Sequence, residues 1–411
     1  MPVNLKQIPP PAARPAFPKW WVWLLLLLGG LLAGTAWAIL VNKETSEINA
    51  AEFWEIALVF PALFWLILLM LRIAWYKGLQ ATADGSNKER EQIIQREIRR
   101  GRRSLAVLGV SLRSALREPD DLDGQMQWNA LQEKTQALKT QASWQSNEGI
   151  RHSRLIRIGN ETAEQLLSRE LSDMLKELSH VLTSVPADVP LALLVENNSS
   201  LSDSQIQSIW QQSWTASHIQ QSVMRIEGRG LEVVDQWLDH HMNEPSMLLV
   251  VALQLAPEQV EGTAEAVVGL LLGSGTQIAA DLTPLATLHR PEQAQGISNQ
   301  DFHYALERAF DWVPIPAKAV PGGWLVGVDM MWNQTIATGL IALSSPINTG
   351  QNLHNLDSSL GYPGPAAPWL AIACATGKSS GGEPQLIVSG DGLADTPLWV
   401  TMVTPASELQ G

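Results

Sequence analysis

Two long apolar stretches stand at the beginning of the hydrophobic pattern. Residues 20–41, WWVWLLLLLGGLLAGTAWAILV, contain no charged side chain. A helix of this length rises about 1.5 Å per residue and crosses a hydrocarbon core of roughly 30 Å. A second apolar stretch runs from about Phe53 to Tyr76 and has a charge-free centre. The pattern predicts a hairpin of two transmembrane helices over residues 20–76.

Two other interpretations fit parts of this pattern. Ala36 and Ala38 resemble a signal-peptide cleavage site, but the apolar run is longer than the roughly 7–15 residues typical of such signals. The second stretch contains Pro61 and also fits a buried helix of a soluble domain. We favour the hairpin because the second stretch follows the first after a short polar connection.

The flanking charges predict the orientation of this hairpin. Lys6, Arg14 and Lys19 lie in the N-terminal tail, residues 1–19, and the run REIRRGRR follows the second stretch. The connection NKETSEINAAE carries one lysine against three glutamates. Because basic loops stay on the cytoplasmic side, we expect both termini and the main domain in the cytoplasm.

Residues 77–150 form a predicted basic connector. Its first part, residues 85–103, has the charge density of a solvated helix, and a helix lying on the membrane surface is the alternative. The run SLAVLGVSL at 104–112 predicts a buried strand. Residues 125–146 are rich in glutamine and alanine and predict a polar helix.

Residues 151–411 alternate between apolar strands and amphipathic helices. Because such alternation is typical of a parallel or mixed sheet with helices on both faces, we expect a layered α/β/α domain. In chain order, the sequence predicts a strand at 155–159, a helix at 161–182, a strand at 190–198, helices at 202–217 and 230–242, strands at 246–255 and 261–275, a helix at 302–313, a strand at 322–332, a helix at 360–377 and a closing hairpin at 383–405.

Composition and charge indicate a folded protein and exclude some classes of binding partner. With 411 residues and 45% hydrophobic content, the chain is long enough for a sizeable core. From Glu118 onward, 33 Asp and Glu oppose 13 Lys and Arg, within a net charge of −13. An acidic body repels nucleic acid, which we therefore exclude as a partner. The single cysteine, Cys374, excludes an internal disulfide and fits a reducing compartment.

Two segments of this body carry a family resemblance. DQWLDHHMNEPSMLLVVALQL…EGTAEAVVGLLLGSG is similar to the middle of the first half of ketosynthases and other thiolase-like proteins. LDSSLGYPGPAAPWLAIACATG…PQLIVSGDG…LWVTMVTP resembles the buried helix and terminal hairpin of the second half. The resemblance covers roughly residues 155–405 and implies a thiolase-like layered fold.

The catalytic positions of that family are not matched. The resemblance implies a cysteine at the start of the first buried helix, whereas GRGLEVVDQWLDHH contains none. It implies a histidine in the turn before the second buried helix, where this chain has Tyr362 in LGYPG. We therefore expect a degenerate, non-catalytic domain, with no catalytic, cofactor-binding or metal-binding residue and no cofactor.

Other candidate residues point to structural roles. Cys374 lies within the second buried helix, where a small buried apolar residue is the expected role. The Gly377-Lys378-Ser379 triplet lacks the earlier glycine of a phosphate-binding loop, since position 372 is Ile372, and we expect Gly377 to end a helix. Asp239, His240 and His241 predict a partly exposed helix end, because adjacent helical residues point about 100° apart.

These observations favour a membrane-anchored cytoplasmic scaffold or adaptor. A two-span anchor followed by a thiolase-like body also resembles accessory proteins found beside bacterial type VI secretion genes, which implies the bacterial inner membrane. Expected partners are the lipid bilayer and a protein, either a secretion effector or an apparatus component, and a homodimer stays open. The alternatives are an acyl-transfer or acyl-binding enzyme with a relocated nucleophile, and an immunity or sensor protein.

Overall fold

The structure, a computed structural model, describes residues 8–45, 50–242, 244–274 and 282–406. The chain divides into two compact units, Asn4–Glu97 and Ile98–Gly411. The first unit contains the apolar helices and the second contains the sheet. Each is described by itself below.

The first unit is a helical hairpin. Helix α1 spans Trp20–Thr45, helix α2 spans Ala50–Trp54, a π-helical turn covers Glu55–Val59, and helix α3 spans Phe60–Gly101. The indole Nε1 of Trp65 donates to the carbonyl oxygen of Trp23 at 2.8 Å.

A glycine in α1 allows the two helices of the hairpin to approach closely. A Cβ on Gly34 would lie 2.5 Å from Cγ of Pro61, so only glycine fits at this position. Both apolar helices are long and apolar enough to cross a membrane, by length and composition. The predicted pair of apolar helices is therefore confirmed as helices.

The strands of the second unit form one large sheet and one small hairpin. Eleven strands pair in the order β11-β10-β12-β13-β8-β1-β7-β6-β4-β5, with β9 attached to β13, while β2 and β3 pair separately. The strands are β1 Ser104–Ser114, β2 Lys139–Ala142, β3 Gly149–His152, β4 Leu191–Ser199, β5 Val223–Ile226, β6 Met247–Leu255, β7 Ala266–Gly273, β8 Ala286–His289, β9 Glu292–Gln293, β10 Gly322–Val326, β11 Leu353–Asn355, β12 Gln385–Ser389 and β13 Trp399–Pro405.

Eight helices of four or more residues accompany these strands in the described part of the second unit. Two of them begin with a capping box, in which Thr162 and Ser202 accept from a backbone N–H three residues on. The helices are α4 Gln125–Gln132, α5 Ala163–Leu182, α6 Asp203–Ala216, α7 Gly230–His240, α8 Asn299–Asp311, α9 Asn333–Ala342, α10 Leu356–Ser359 and α11 Ala367–Ser380.

The sheet halves and helices stack in five layers. Helices α7 and α11 share a central core with the inner faces of both halves of the sheet. Helices α5 and α6 cover the outer face of the first half, and α8 and α9 cover that of the second. Helices can cover both faces of the sheet because successive side chains of a strand point to opposite faces. In β6, Leu248 and Val250 face the central core, while Leu249 and Val251 face the α5 side. The predicted layered α/β architecture is confirmed.

Strand register joins the two halves. Strand β4 pairs in parallel with β5 and β6, whereas β1 is antiparallel to β7 over most of its length. The start of β1 also pairs with β8, so this strand belongs to both halves. The closing hairpin is confirmed by the antiparallel pairing of β12 and β13.

Two local predictions are wrong, and several short elements were not predicted. The helix expected over 125–146 ends at Gln132, because Lys134 adopts a left-handed φ of 56° and the chain then forms the β2–β3 hairpin. Residues 155–159 are not a strand, since the pairing here is an isolated bridge between Ser153 and Ala264. Strand β5, strand β8 and helix α9 were not predicted, because they are too short or too uniformly apolar to show a clear period.

Candidate functional site

A cavity of about 820 Å³ opens between the starts of α7 and α11 and the carboxyl ends of β4 and β12. We call it the central cavity. Its position follows from the fold, because parallel strands bring their carboxyl ends and the following helix starts to one edge of the sheet. The residues used below that line it are Glu196, Asn198, Arg229, Gly230, Tyr362, Ser389, Gly390, Asp391 and Thr396.

Glu196 joins the two central helices. Its Oε1 accepts from the backbone N–H of Gly230 at 2.8 Å, in the first turn of α7. Its Oε2 accepts from the indole Nε1 of Trp369, in α11, at 2.5 Å. Burial raises the pKa of this carboxyl even though both hydrogen bonds and Arg229 lower it. A carboxyl group thus occupies the helix start and accepts from its first backbone N–H.

Tyr362 stands at the opposite wall of the cavity. Burial, followed by the nearby carboxylates of Asp391 and Asp357, raises the pKa of its phenol, so the hydroxyl is neutral. Its backbone carbonyl accepts from Nε2 of Gln254 at 2.8 Å, and the Oε1 of that amide accepts from Asn198 at 2.8 Å. The buried amide therefore fixes the turn that carries the tyrosine.

Asp357 lies behind this turn. Its Oδ2 accepts from the backbone N–H of Gly327 at 2.6 Å, and burial raises the pKa of its carboxyl to about 7. Gly327 has a φ of +62°, and a Cβ there would lie 2.2 Å from the carbonyl oxygen of Gly390. The close crossing of these two loops shapes the floor beneath Tyr362.

The described lining offers hydroxyls and carboxyls for chemistry, but no histidine beside a hydroxyl or thiol. Among the described residues that line the central cavity, none is cysteine, histidine or lysine. The hydroxyl of Thr396 donates to Asp391 and to the carbonyl of Leu393, and Ser389 is buried. Activation of a hydroxyl or thiol requires an adjacent base within hydrogen-bond reach. The described lining contains no such nucleophile–histidine pair.

Cys374 lies away from this cavity. It is fully buried within α11, and burial alone raises the pKa of its thiol. The expected role as a small buried apolar residue is confirmed. The prediction that Gly377 ends the helix is wrong, because α11 continues to Ser380. Gly377 is needed for close packing, since a Cβ there would lie 2.5 Å from Cζ2 of Trp128.

The acidic and histidine side chains at the end of α7 have separate partners. Asp239 accepts from Arg100 at 2.8 and 2.5 Å and from Arg290 at 2.6 Å, and these guanidinium groups lower its pKa. His240 Nδ1 lies 2.9 Å from the carbonyl oxygen of Gln236. His241 lies 2.6 Å from Glu244. The three residues form a helix end, and the described ranges contain no group of three or more candidate metal ligands.

Two structural comparisons identify the fold. A type II polyketide-synthase ketosynthase, in complex with its acyl-carrier protein, superposes with a TM-score of 0.51 at 10% identity, covering 74% of this chain and 99% of that chain. The ishigamide ketosynthase/chain length factor gives a TM-score of 0.51 at 13% identity with the same coverage, 74% and 99%. No protein-family model and no curated protein sequence matches the chain.

The sheet and its two central helices thus have a mixed α/β, thiolase-like fold. At these identities the comparison concerns the fold alone. The residues of the cavity carry the functional argument.

Sequence reasoning did not find Glu196, its partner Trp369 or the cavity that Glu196 lines. A usable signal was present, because PLALLVENN places Glu196 at the carboxyl end of an apolar strand, where open α/β sheets bind ligands. Its partner Trp369 had no local signal, since it lies 173 residues further along the chain.

Proposed function

We propose that this chain is a membrane-anchored, non-catalytic thiolase-like scaffold. One observation carries the proposal: the carboxylate of Glu196 fills the start of α7 and ties it to Trp369, where the family resemblance calls for a nucleophile. A carboxyl group that is already hydrogen-bonded to both central helices supports a structural role for this site. A scaffold of this kind acts by binding a partner protein on the surface of its folded body.

A direct test is incubation of the full-length, detergent-solubilised protein with acetyl-CoA and malonyl-CoA, followed by intact-mass measurement. We expect no covalent acyl adduct and no CoA release above a protein-free blank. An acyl adduct that disappears in the Cys374→Ala variant would overturn the proposal. That result would support the alternative of acyl transfer with a relocated nucleophile, which the fold and the cavity of about 820 Å³ also accommodate.

The anchoring part of the proposal rests on α1 and α3, which are apolar over membrane-spanning lengths, and on the basic residues that flank them. We propose the bacterial inner membrane, with both termini and the body in the cytoplasm. A single cysteine introduced into the connection 42–52, in a Cys374→Ala background, should react with a membrane-impermeant maleimide from the periplasmic side. Labelling only after the cells are lysed would contradict this orientation.

The partner part of the proposal rests on the arrangement of two apolar helices before a thiolase-like body, which resembles accessory proteins of type VI secretion. We propose a secretion effector or apparatus component as the protein partner. Pairwise two-hybrid tests against the products of neighbouring genes should return such a protein. Recovery of a toxin that the chain neutralises would favour the immunity alternative, and recovery of an acyl-carrier protein would favour acyl transfer.

A further inference from the structure

A second cavity, of about 710 Å³, lies beside the β2–β3 hairpin. We call it the hairpin cleft. It is bordered by the end of β1, helix α4 and the extended segment 154–159. One wall is apolar and another carries cationic side chains. The residues that line it include Leu116, Met126, Lys139, Arg154, Ile156 and Arg157, together with one carboxylate, Glu118, so its cations outnumber its anions by three to one.

Two arginines of the cleft are held in place by neutral groups. Arg154 donates to the carbonyl oxygen of Ala142 at 3.0 Å, and Arg157 donates to the carbonyl oxygen of Glu161 at 2.5 Å. Their guanidinium carbons lie 5.6 and 4.4 Å from the centroid of the Trp144 ring. Such contacts orient a guanidinium without a direct ion pair, although Glu161 and Glu265 interact electrostatically with Arg157 and Arg154.

No carboxylate lies within ion-pair distance of either arginine in the described part of the chain. The other buried or half-buried arginines of residues 98–406 do have such a partner. These ion-paired arginines are Arg100, Arg103, Arg113, Arg117, Arg169, Arg290 and Arg308. In addition, Nε of Arg157 is buried and has no hydrogen-bond acceptor. The same holds for Nε of Arg113, Arg117, Arg290 and Arg308, so the missing ion pair is what sets Arg154 and Arg157 apart, and an anion from outside the chain would supply it.

The nearest buried carboxyl is already committed to other donors. Glu265 accepts from Nε1 of Trp144 at 2.5 Å, from the backbone N–H of Ala256 at 3.0 Å and from that of Leu155 at 3.1 Å. This arrangement fixes the ring on which both guanidiniums rest. It builds the platform without neutralising the arginines by a direct contact.

We propose that the hairpin cleft binds a small amphiphilic anion, in which a carboxylate or phosphate group meets Arg154 and Arg157 and a short apolar chain contacts Leu116, Met126 and Ile156. A guanidinium binds either oxyanion through paired N–H donors. A volume of about 710 Å³ suits a ligand of metabolite size. The cleft is also a basic site on an acidic body, which would concentrate a small anion there. The proposal is independent of whether the central cavity is catalytic.

The test is calorimetric titration of the full-length protein in detergent with hexanoate, hexyl phosphate, inorganic phosphate and hexanol. Hexanoate or hexyl phosphate should bind saturably, and the uncharged hexanol should not. The stronger of the two anions identifies the headgroup. The Arg157→Gln variant should bind at least ten-fold more weakly, and Arg157→Lys should lie between it and the parent, because lysine keeps the charge and loses the fork.

Arg151→Gln is the matched control, because Arg151 is an exposed arginine of the same hairpin and does not line the cleft. It should bind like the parent. Thermal unfolding of each variant without ligand establishes that the body is folded. The proposal is overturned if neither anion binds saturably to the parent, or if Arg151→Gln weakens binding as much as Arg157→Gln does.

Discussion

Glu265 provides a sharp test of how burial controls the stability of this body. The side chain is 2% exposed and accepts three hydrogen bonds, two at Oε1 and one at Oε2. Burial raises the pKa of its carboxyl from 4.5 to about 7, although the Ala256 N–H and the Trp144 indole lower it. The variant Glu265→Gln removes the titration while keeping the shape and one acceptor oxygen.

The magnitude follows from proton linkage. Below pH 4.5 both the folded and the unfolded state hold this proton, so the carboxyl contributes its full stabilisation. Between pH 4.5 and 7 the unfolded state releases the proton while the folded state keeps it, and the free energy of unfolding falls as the pH rises. A pKa raised from 4.5 to about 7 corresponds to a loss of about 3 kcal/mol by pH 8.

Glutamine responds differently because it does not titrate. Its amide nitrogen would face the N–H of Leu155, which loses its acceptor at a cost of about 1–3 kcal/mol. At pH 5 the variant should therefore be less stable than the parent. Between pH 5 and pH 8 the difference in the free energy of unfolding should move in favour of the variant by about 2.5 kcal/mol, so that the two proteins unfold at similar urea concentrations at pH 8.

The assay is urea unfolding of the detergent-solubilised full-length protein, followed by tryptophan fluorescence at constant ionic strength from pH 5 to 8. Glu258→Gln is the matched control, because Glu258 is exposed in the same connection between β6 and β7. The control should follow the parent at every pH. If the difference between the parent and Glu265→Gln is the same at pH 5 and pH 8, the folded state does not retain this proton and the reasoning is refuted.

Three further predictions concern buried contacts. Gly377→Ala places a methyl group against the Trp128 ring and should lower the free energy of unfolding by about 1–3 kcal/mol, measured by urea unfolding; an unchanged midpoint would contradict the packing. Arg290→Leu removes the buried guanidinium that pairs with Asp235 and should cost about 3–5 kcal/mol by thermal unfolding; an unchanged melting temperature would contradict a stabilising ion pair. Cys374 should resist maleimide in the native protein and react after denaturation, as counted by intact mass; rapid native labelling would show exposure.

Hydrophobic periodicity predicted most of the layered body. Strand β6 was predictable because it is a short continuous apolar run, and helix α5 because its apolar positions recur at helical spacing. The hairpin at β2–β3 was not, because its residues are polar and the neighbouring glutamines and alanines favour a helix locally. Tertiary pairing overrides that preference here.

The sites were much less predictable than the fold. Glu196 and Trp369 are 173 residues apart, and Trp144 and Glu265 are 121 residues apart. A single sequence contains no local signal for such contacts, because they arise only when the layers pack. What it could exclude was chemistry that needs a local motif, such as a phosphate loop at Gly377.

Buried tryptophan–glutamate hydrogen bonds recur between distant elements of this body. Trp369 binds Glu196 between α11 and β4, and Trp312 binds Glu292 at 2.6 Å between the end of α8 and β9. In both, burial raises the pKa of the carboxyl, to about 7 at Glu292. An indole N–H is a donor only, so it satisfies a buried carboxyl oxygen without adding charge. The Glu196 carboxyl that accepts from Trp369 also accepts from the backbone N–H of Gly230 at the start of α7. This is a physical reason to regard the central cavity as a rigid structural element.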